Sequence, residues 1–422
     1  MKKVKMPFGE HFIELDVPEE AVVCEAAYMA PLPDPVAAMD EALMNPIGTS
    51  PLHEIARGRR SAAIVINDIT RPSSSRLMVE SILPKLYHAG IEKEAVTIVI
   101  ATGDHRAATV QEIEEMLGPD ISRSIKIVSH DCHDSSGMAF FGTTKRGLPV
   151  YVNKIVGEAD LKILTGIITP HHCAGYSGGR KSIVPGVAGY ETIHIHHSPP
   201  IHPLEPVTGV MWGNTFHEEA VAAARLVGID FILNEIKNGD GAIVGIVAGE
   251  LEKAHEHGVR ICEKVWAIHF EHKYDIVVVS PGNYPKDFDL HQSQKALSAA
   301  ESVVADGGII ILVAECRNGV GKFEKLLKQA SHPRELIDRY IREGQTKDYL
   351  SKAFLFARAL VKYQVIVVCK GVSKDSLEAM FLEYAPSLEQ AFERARRLKG
   401  DSARILFLPH AVDCVPLVRT VQ

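Results

Sequence analysis

Ser61-Ala62-Ala63-Ile64-Val65-Ile66 and Ala95-Val96-Thr97-Ile98-Val99-Ile100 bracket a stretch of helical spacing over residues 74–88. Two short apolar runs rich in β-branched residues, joined by an amphipathic crossover, predict one βαβ unit, since parallel strands need a connection of about a dozen residues or more. The same grammar continues outward. Residues 125–128 and 161–165 read as further strands, and residues 110–117 as a helix whose Glu112, Glu114 and Glu115 form a wet face. In the second half, residues 275–279, 308–313, 365–369 and 405–408 read as strands and residues 290–305 as a helix. The expected fold is α/β, two domains with mainly parallel sheets and an active-site cleft between them. Residues 251–265 read as a helix followed by the polar bridge His269, Glu271, His272 and Lys273, which places the boundary near 270. The expected domains are residues 1–270 and 271–422, with the final strand free to return to the first.

Composition narrows the function classes. The 422 residues carry 46 Lys and Arg against 53 Asp and Glu, a net charge of −7, which excludes nucleic-acid binding through a general positive field. No apolar run reaches the ~18 residues of a membrane span. The start, Met1-Lys2-Lys3-Val4-Lys5 and then Phe8-Gly9-Glu10-His11, is no signal-peptide core, so a cytoplasmic protein without membrane partners is expected. The seven cysteines are scattered, odd in number and free of CxxC spacing, which argues against a disulfide framework or a thiolate zinc site.

Four polar loops follow predicted strands, where open α/β sheets bind ligands. Asn67-Asp68-Ile69-Thr70-Arg71-Pro72-Ser73 offers Arg71 as a bidentate partner for a carboxylate or phosphate; a capped helix start with a surface arginine is the plainer alternative. Ala101-Thr102-Gly103-Asp104-His105-Arg106 offers His105 as an acid or base near neutral pH, against a merely solvated loop histidine. The third is the most informative: residues 169–182 contain His171-His172-Cys173 and Gly175-Tyr176-Ser177-Gly178-Gly179-Arg180-Lys181-Ser182, and Glu191-Thr192-Ile193-His194-Ile195-His196-His197 follows. Ten of the twenty histidines lie between residues 105 and 217. A phosphate-binding G-x-x-x-x-G-K-[ST] loop starting at Gly175 needs glycine at 180 and meets Arg180. The glycines beside two cations still suit an anion held by backbone amides, and Lys181, flanked by Arg180, suits a nucleophile or attachment point. The alternation Ile193-His194-Ile195-His196 predicts a strand face carrying both histidines. In the fourth loop, Ser280 to Asp287 leads to His291-Gln292-Ser293-Gln294-Lys295, where Gln292 and Lys295, three apart, share a helix face and can hold one substrate group; a solvated face is the alternative.

Taken in order, five motifs resemble the nickel-pincer lactate racemase (LarA-type) family of 2-hydroxy acid racemases and epimerases. They are Asp68-x-Thr70-Arg71-Pro72; Ala101-Thr102-Gly103-x-His105-Arg106; Pro170-His171 through Ala174-Gly175-Tyr176-Ser177-Gly178-Gly179-Arg180-Lys181-Ser182; Glu191-Thr192-Ile193 with His197-Ser198; and Gln292-x-x-Lys295. The resemblance runs from about Asp68 to Cys369. It implies an isomerase whose cofactor is nickel in a pyridinium-derived mononucleotide, the nickel-pincer nucleotide, attached through a thioamide to Lys181. It implies His197 as nickel ligand, His105 and His171 as the acid and base, Arg71, Gln292 and Lys295 as substrate contacts, and Asp68 as a cofactor contact. Enzymes that build the cofactor are implied partners, and whether the chain forms a homo-oligomer is left open.

That chemistry accounts for the residue types. The α-hydrogen of a 2-hydroxy carboxylate is weakly acidic, so inversion proceeds by hydride departure to a 2-oxo acid and return to its other face. One histidine handles the hydroxyl proton for each enantiomer, and a reference pKa of ~6.5 suits both. A single protein ligand completing a planar nickel site agrees with the absence of a multi-ligand motif. Two departures bear on the substrate: the family's lactate enzymes carry tyrosine before the glutamine, where this chain has His291, and a pocket tryptophan, whereas its tryptophans are Trp212 and Trp266. A larger or more polar 2-hydroxy acid is therefore expected, with His291 as an added contact. Two competing readings are a zinc hydrolase using His171, His172, His194 and His196, and a non-catalytic nucleotide or phosphate sensor. Neither explains Arg71, His105, Gln292 and Lys295 occurring together.

Overall fold

Two six-stranded sheets, one in each of two units, organise the chain; the computed structural model describes residues 1–24, 28–345 and 349–418. One unit comprises Tyr28–His197 and Val210–Val265, the other Met1–Ala27, Ser198–Gly209 and Trp266–Gln422. A single cut near residue 270 thus departs from the observed division: the first 27 residues and a short excursion at 198–209 belong with the C-terminal half. The last described strand, Val415–Val418, pairs with Ala267–Phe270 and so stays in that unit.

In the first unit the strand order is Ile243–Gly249, Phe231–Lys237, Leu161–Ile167, Ala62–Asn67, Val96–Ala101, Lys126–Ser129. All pairings are parallel except that of the edge strand Ile243–Gly249. The helix Ser75–His88 makes the crossover expected from its spacing. Ile64, Val65, Ile66, Ile98, Val99 and Ile100 are wholly buried, and each such side chain contributes about 1.5–3 kcal/mol by leaving water. Chain order reverses between Ala62–Asn67 and Leu161–Ile167, because later strands add on opposite sides of this pair. The carboxyl ends of those two strands form a switch point, where diverging loops leave a crevice.

The second unit has the order Glu383–Tyr384, Gln364–Val368, Val304–Val313, Tyr274–Val279, Ile405–Leu408, Val22–Val23, parallel throughout. Its switch point lies between Tyr274–Val279 and Ile405–Leu408. The hairpin Lys2–Phe8 and His11–Val17 packs Val4, Met6 and Phe8 into the same core as Ile276 and Val278, which explains why the N-terminus belongs to this unit.

Candidate active site

Four loops of the first unit converge at its switch point. After Ala62–Asn67 the chain reaches Asp68, which is buried and accepts hydrogen bonds from Thr70 Oγ1 at 2.8 Å and from His105 Nδ1 at 2.7 Å. Burial alone would raise its pKa, but the bonds from His105 and Thr70 and the Arg71 charge hold the carboxyl below its usual value. An ionised Asp68 fixes the proton of a neutral His105 on Nδ1 and leaves Nε2 as its basic nitrogen. His105 is brought there by the turn after Val96–Ala101: its amide donates to Thr102 O, and Gly103, at φ +56°, donates to Gly186 O at 2.9 Å. Arg71 is exposed, and its guanidinium donates to Thr70 O and Oγ1 at 3.4 Å.

His171 sits in a two-strand turn, Pro170–His171 against Gly175–Tyr176. The amides of Cys173 and Ala174 both donate to its Nδ1 at 3.2 Å. A neutral His171 therefore carries its proton on Nε2, 3.4 Å from Lys181 Nζ. Burial, then the charges of Lys181 and His172, push His171 well below the usual histidine range. Lys181 lies on a short helical turn, Gly179–Ser182. Burial and the charges of Arg180 and Arg71 bring its amine down to about 7, and Nζ stands 5.4 Å from the centre of the Phe216 ring.

Arg180 is one of the largest fully buried side chains. Its guanidinium donates to the carbonyls of Ala174, Tyr176, Ser177 and Gly178 and to His255 Nε2, and among the described residues no carboxylate pairs with it. It braces the glycine-rich loop from inside while its charge acts on Lys181. The glycines serve close packing: a Cβ at Gly175 would lie 2.2 Å from Val210 O, and one at Gly178 2.7 Å from Ile168. The amides of Tyr176, Ser177 and Gly179 donate to Ala174 O, Thr169 O and Asn234 Oδ1. These amides are thus used within the protein, contrary to the expected anion cradle, which removes the basis of the phosphate-sensor reading.

The segment 193–196 is not a strand. It belongs to the helix Tyr190–His196, because Thr192, Ile193 and His196 share a helical spacing and are buried. His197 follows at the C-cap, where its Nδ1 donates to Ile193 O at 2.9 Å, leaving Nε2 as the lone-pair nitrogen of the neutral ring. Burial and the Lys181 charge lower His197 to about 4. The ring stands edge-on to Phe216, at 4.9 Å and 89°. His196 instead bonds Phe216 O through Nε2 at 2.9 Å. Among the described residues, the His, Cys, Asp and Glu groups close enough for a metal are His171-His172-Cys173 and Asp104-Cys132-His133; the four-histidine set of the zinc-hydrolase reading does not assemble.

Gln292, Lys295 and His291 lie in the other unit, at the start of the helix Leu290–Glu301, whose N-cap Asp289 accepts from the Gln292 amide. Lys295 Nζ donates to Gln292 Oε1 at 2.9 Å. Both line a depression of about 400 Å³ with Pro285, Lys286, Phe288 and Val412. His291 is not among these; its ring centre lies 6.0 Å from those of Phe323 and Tyr349, and burial with the Lys352, Lys295 and Lys322 charges lowers it to about 4.

The sequence reading missed Phe216, Asn214 and Tyr349. Asn214 caps the helix Thr215–Val227 and holds the carbonyls of Cys173 and Val210. The one available signal was an asparagine immediately before a helical spacing.

Residues 8–207 match the model of the lactate racemase N-terminal domain and residues 270–415 that of the lactate racemase C-terminal domain. The chain is 34% identical to the lactate racemase of Lactiplantibacillus plantarum, covering 98% of this chain and 100% of that one. It is 32% identical to the lactate racemase of Thermoanaerobacterium thermosaccharolyticum, covering 98% and 99%. The solved lactate racemase apoprotein from the latter organism superposes with a TM-score of 0.89, at 32% identity over 99% of this chain and 100% of that one. A Thermotoga maritima protein, 17% identical and with a TM-score of 0.64 over 93% of this chain and 100% of its own, shares the fold.

Proposed function

This chain belongs to the lactate racemase family, and from that premise we propose that it inverts the α-carbon of a 2-hydroxy acid with a nickel-pincer nucleotide tethered to Lys181. The observation that carries the proposal is the Lys181–His197 pair. A primary amine brought to about 7 is uncharged in about half the molecules near neutrality, which supplies the free amine that covalent attachment through an amide-type bond requires. His197 is held by Ile193 in the tautomer whose Nε2 carries the lone pair, the nitrogen a metal ligand uses. The donor set therefore fits the group. When bound, that cofactor supplies a reversible hydride acceptor.

This chain's residues do the rest. His105 Nε2, with its ring oriented by Asp68, receives the hydroxyl proton of one enantiomer and returns it to the other. His171 is the second acid–base group, on a separate loop: with its Nδ1 held by the Cys173 and Ala174 amides, the neutral ring offers its Nε2 proton to the substrate oxygen and takes a proton back at Nε2 once that one has been given up. Arg71 and Lys295 neutralise the carboxylate, and Gln292 offers its amide to the substrate, so that the 2-oxo acid is retained while it turns over. Lys181 loses its charge on attachment, which removes one cause of the low His171 pKa and brings this histidine closer to a useful range. His291 in place of tyrosine, and the different tryptophan positions, support a substrate larger or more polar than lactate. Maturation depends on enzymes that build the cofactor.

The test is to load the chain with cofactor and nickel and screen enantiopure 2-hydroxy acids, beginning with lactate and extending to larger and dicarboxylic ones. We expect inversion with the α-deuterium of a labelled substrate retained in ordinary water. Inversion with full loss of that label to solvent would replace hydride transfer by proton abstraction, and absence of inversion across the panel would overturn the proposal.

A further inference from the structure

A second group of metal-ligating side chains lies outside the residues assigned above. Asp104 comes from the turn after Val96–Ala101, and Cys132 and His133 from the loop after Lys126–Ser129. These strands are neighbours in the sheet, with Ile100 opposite Ser129, so their carboxyl-end loops emerge side by side. Asp104 Oδ1 accepts from His133 Nε2 at 2.9 Å and from Cys132 Sγ at 3.5 Å, and the three atoms lie within 4.8 Å of one another.

We propose that Asp104, Cys132 and His133 form a binding site for a borderline-soft divalent cation of the zinc class, separate from the Lys181–His197 centre. Three arguments converge. The first is spacing: bonds of about 2.3 Å to sulfur and about 2.0 Å to oxygen and nitrogen give tetrahedral edges of about 3.5 Å between sulfur and oxygen and about 3.3 Å between nitrogen and oxygen. The observed 3.5 and 2.9 Å need only small side-chain shifts to meet them.

The second is the donor set. A thiolate, an imidazole and a carboxylate select zinc or its cobalt and nickel neighbours over the hard cations magnesium and calcium, and three protein ligands leave a fourth position for water. The third is preorganisation of the backbone. Thr102 Oγ1 donates to His130 O at 2.6 Å, the Tyr190 amide donates to Cys132 O at 2.9 Å, and the His133 ring rests 4.7 Å from that of Tyr190. Asp104 and His133 are exposed while Cys132 is buried beneath them, so a cation reaches the site from solvent and meets the thiol at its floor. Without an ion the exposed His133–Asp104 pair contributes little to stability. With one, the turn carrying His105 is tied to the adjacent loop.

The full chain, stripped of metal and free of the nucleotide, is titrated with Co²⁺ and then with competing Zn²⁺. We expect one cobalt per chain with a near-ultraviolet thiolate-to-metal charge-transfer band, displaced by Zn²⁺. Cys132→Ser abolishes that band, and Cys173→Ser keeps it. Asp104→Asn and His133→Ala, both at exposed positions, weaken binding at least tenfold. No binding by the wild-type chain would overturn the proposal. So would a band that survives Cys132→Ser, or one lost in Cys173→Ser, which would move the ion to His171-His172-Cys173. If Cys132→Ser fails to fold, the His133→Ala affinity decides: a value equal to wild type overturns the site.

Discussion

The two units offer their polar loops in the same topological place and treat them in opposite ways. At the switch point of the Tyr28–His197 and Val210–Val265 unit, Lys181, His171 and His197 are half-buried, each with a pKa lowered chiefly by burial and each histidine with a backbone partner that sets its tautomer. At the other, Gln292 and Lys295 line a depression and bond to each other. Chemistry that must keep an amine uncharged and an imidazole neutral requires desolvation, which is costly and has to be built in by the fold. Gripping a carboxylate requires only charges that water keeps ready. The first region is thus expected to control whether the reaction occurs, and the second how well a given substrate is held.

That contrast can be broken by substitution. Lys181→Ala removes the tether and should reduce inversion by more than about 10⁴-fold; loaded enzyme that still turns over at a tenth of the normal rate would dissolve the distinction. His105→Ala and His171→Ala should each lose about 10²–10⁴-fold in kcat while keeping the cofactor adduct, read by chiral product analysis beside intact mass. Lys295→Ala and Gln292→Ala should act mainly on KM, raising it about tenfold, as expected for a charge-assisted hydrogen bond made equally in ground and transition states. A pure kcat effect there would move these residues into the first class.

The smallest effect concerns stability. Lys181 titrates at about 7 in the fold and near ~10.4 when unfolded. Between those values the unfolded chain binds a proton the folded chain does not, so stability rises with pH through that window. Lys181→Met should flatten the rise by about 1 kcal/mol, allowing for solvent screening at this half-buried site, as read from denaturant midpoints between pH 7 and 10.

Much of this organisation is legible in the sequence because parallel strands buried on both faces read as unbroken β-branched runs. Residues 61–66 and 405–408 coincide with observed strands to within a residue. Phe231–Lys237 is hidden because a central strand here buries Asn234 and Glu235. Asn234 bonds the Gly166 carbonyl and the Gly179 amide, and Glu235 accepts the Ser74 amide at 2.6 Å. Such polar residues interrupt the apolar run while serving loops far away in the chain. The Ile-His alternation at 193–196 is too short to separate a period of two from one of 3.6, and burial of Thr192 and His196 decides for the helix. The residue types of the site were visible as motifs. Their tautomers, the role of Arg180 as an internal brace and the ring of Phe216 were not, since each depends on partners distant in sequence.

The most direct test of the central claim is peptide-level mass spectrometry of the chain after loading with cofactor and nickel. The account predicts one covalent adduct, on the peptide containing Lys181, forming with a half-point near pH 7 and absent in Lys181→Ala. An adduct on another lysine, or full racemase activity with Lys181 unmodified, would contradict it.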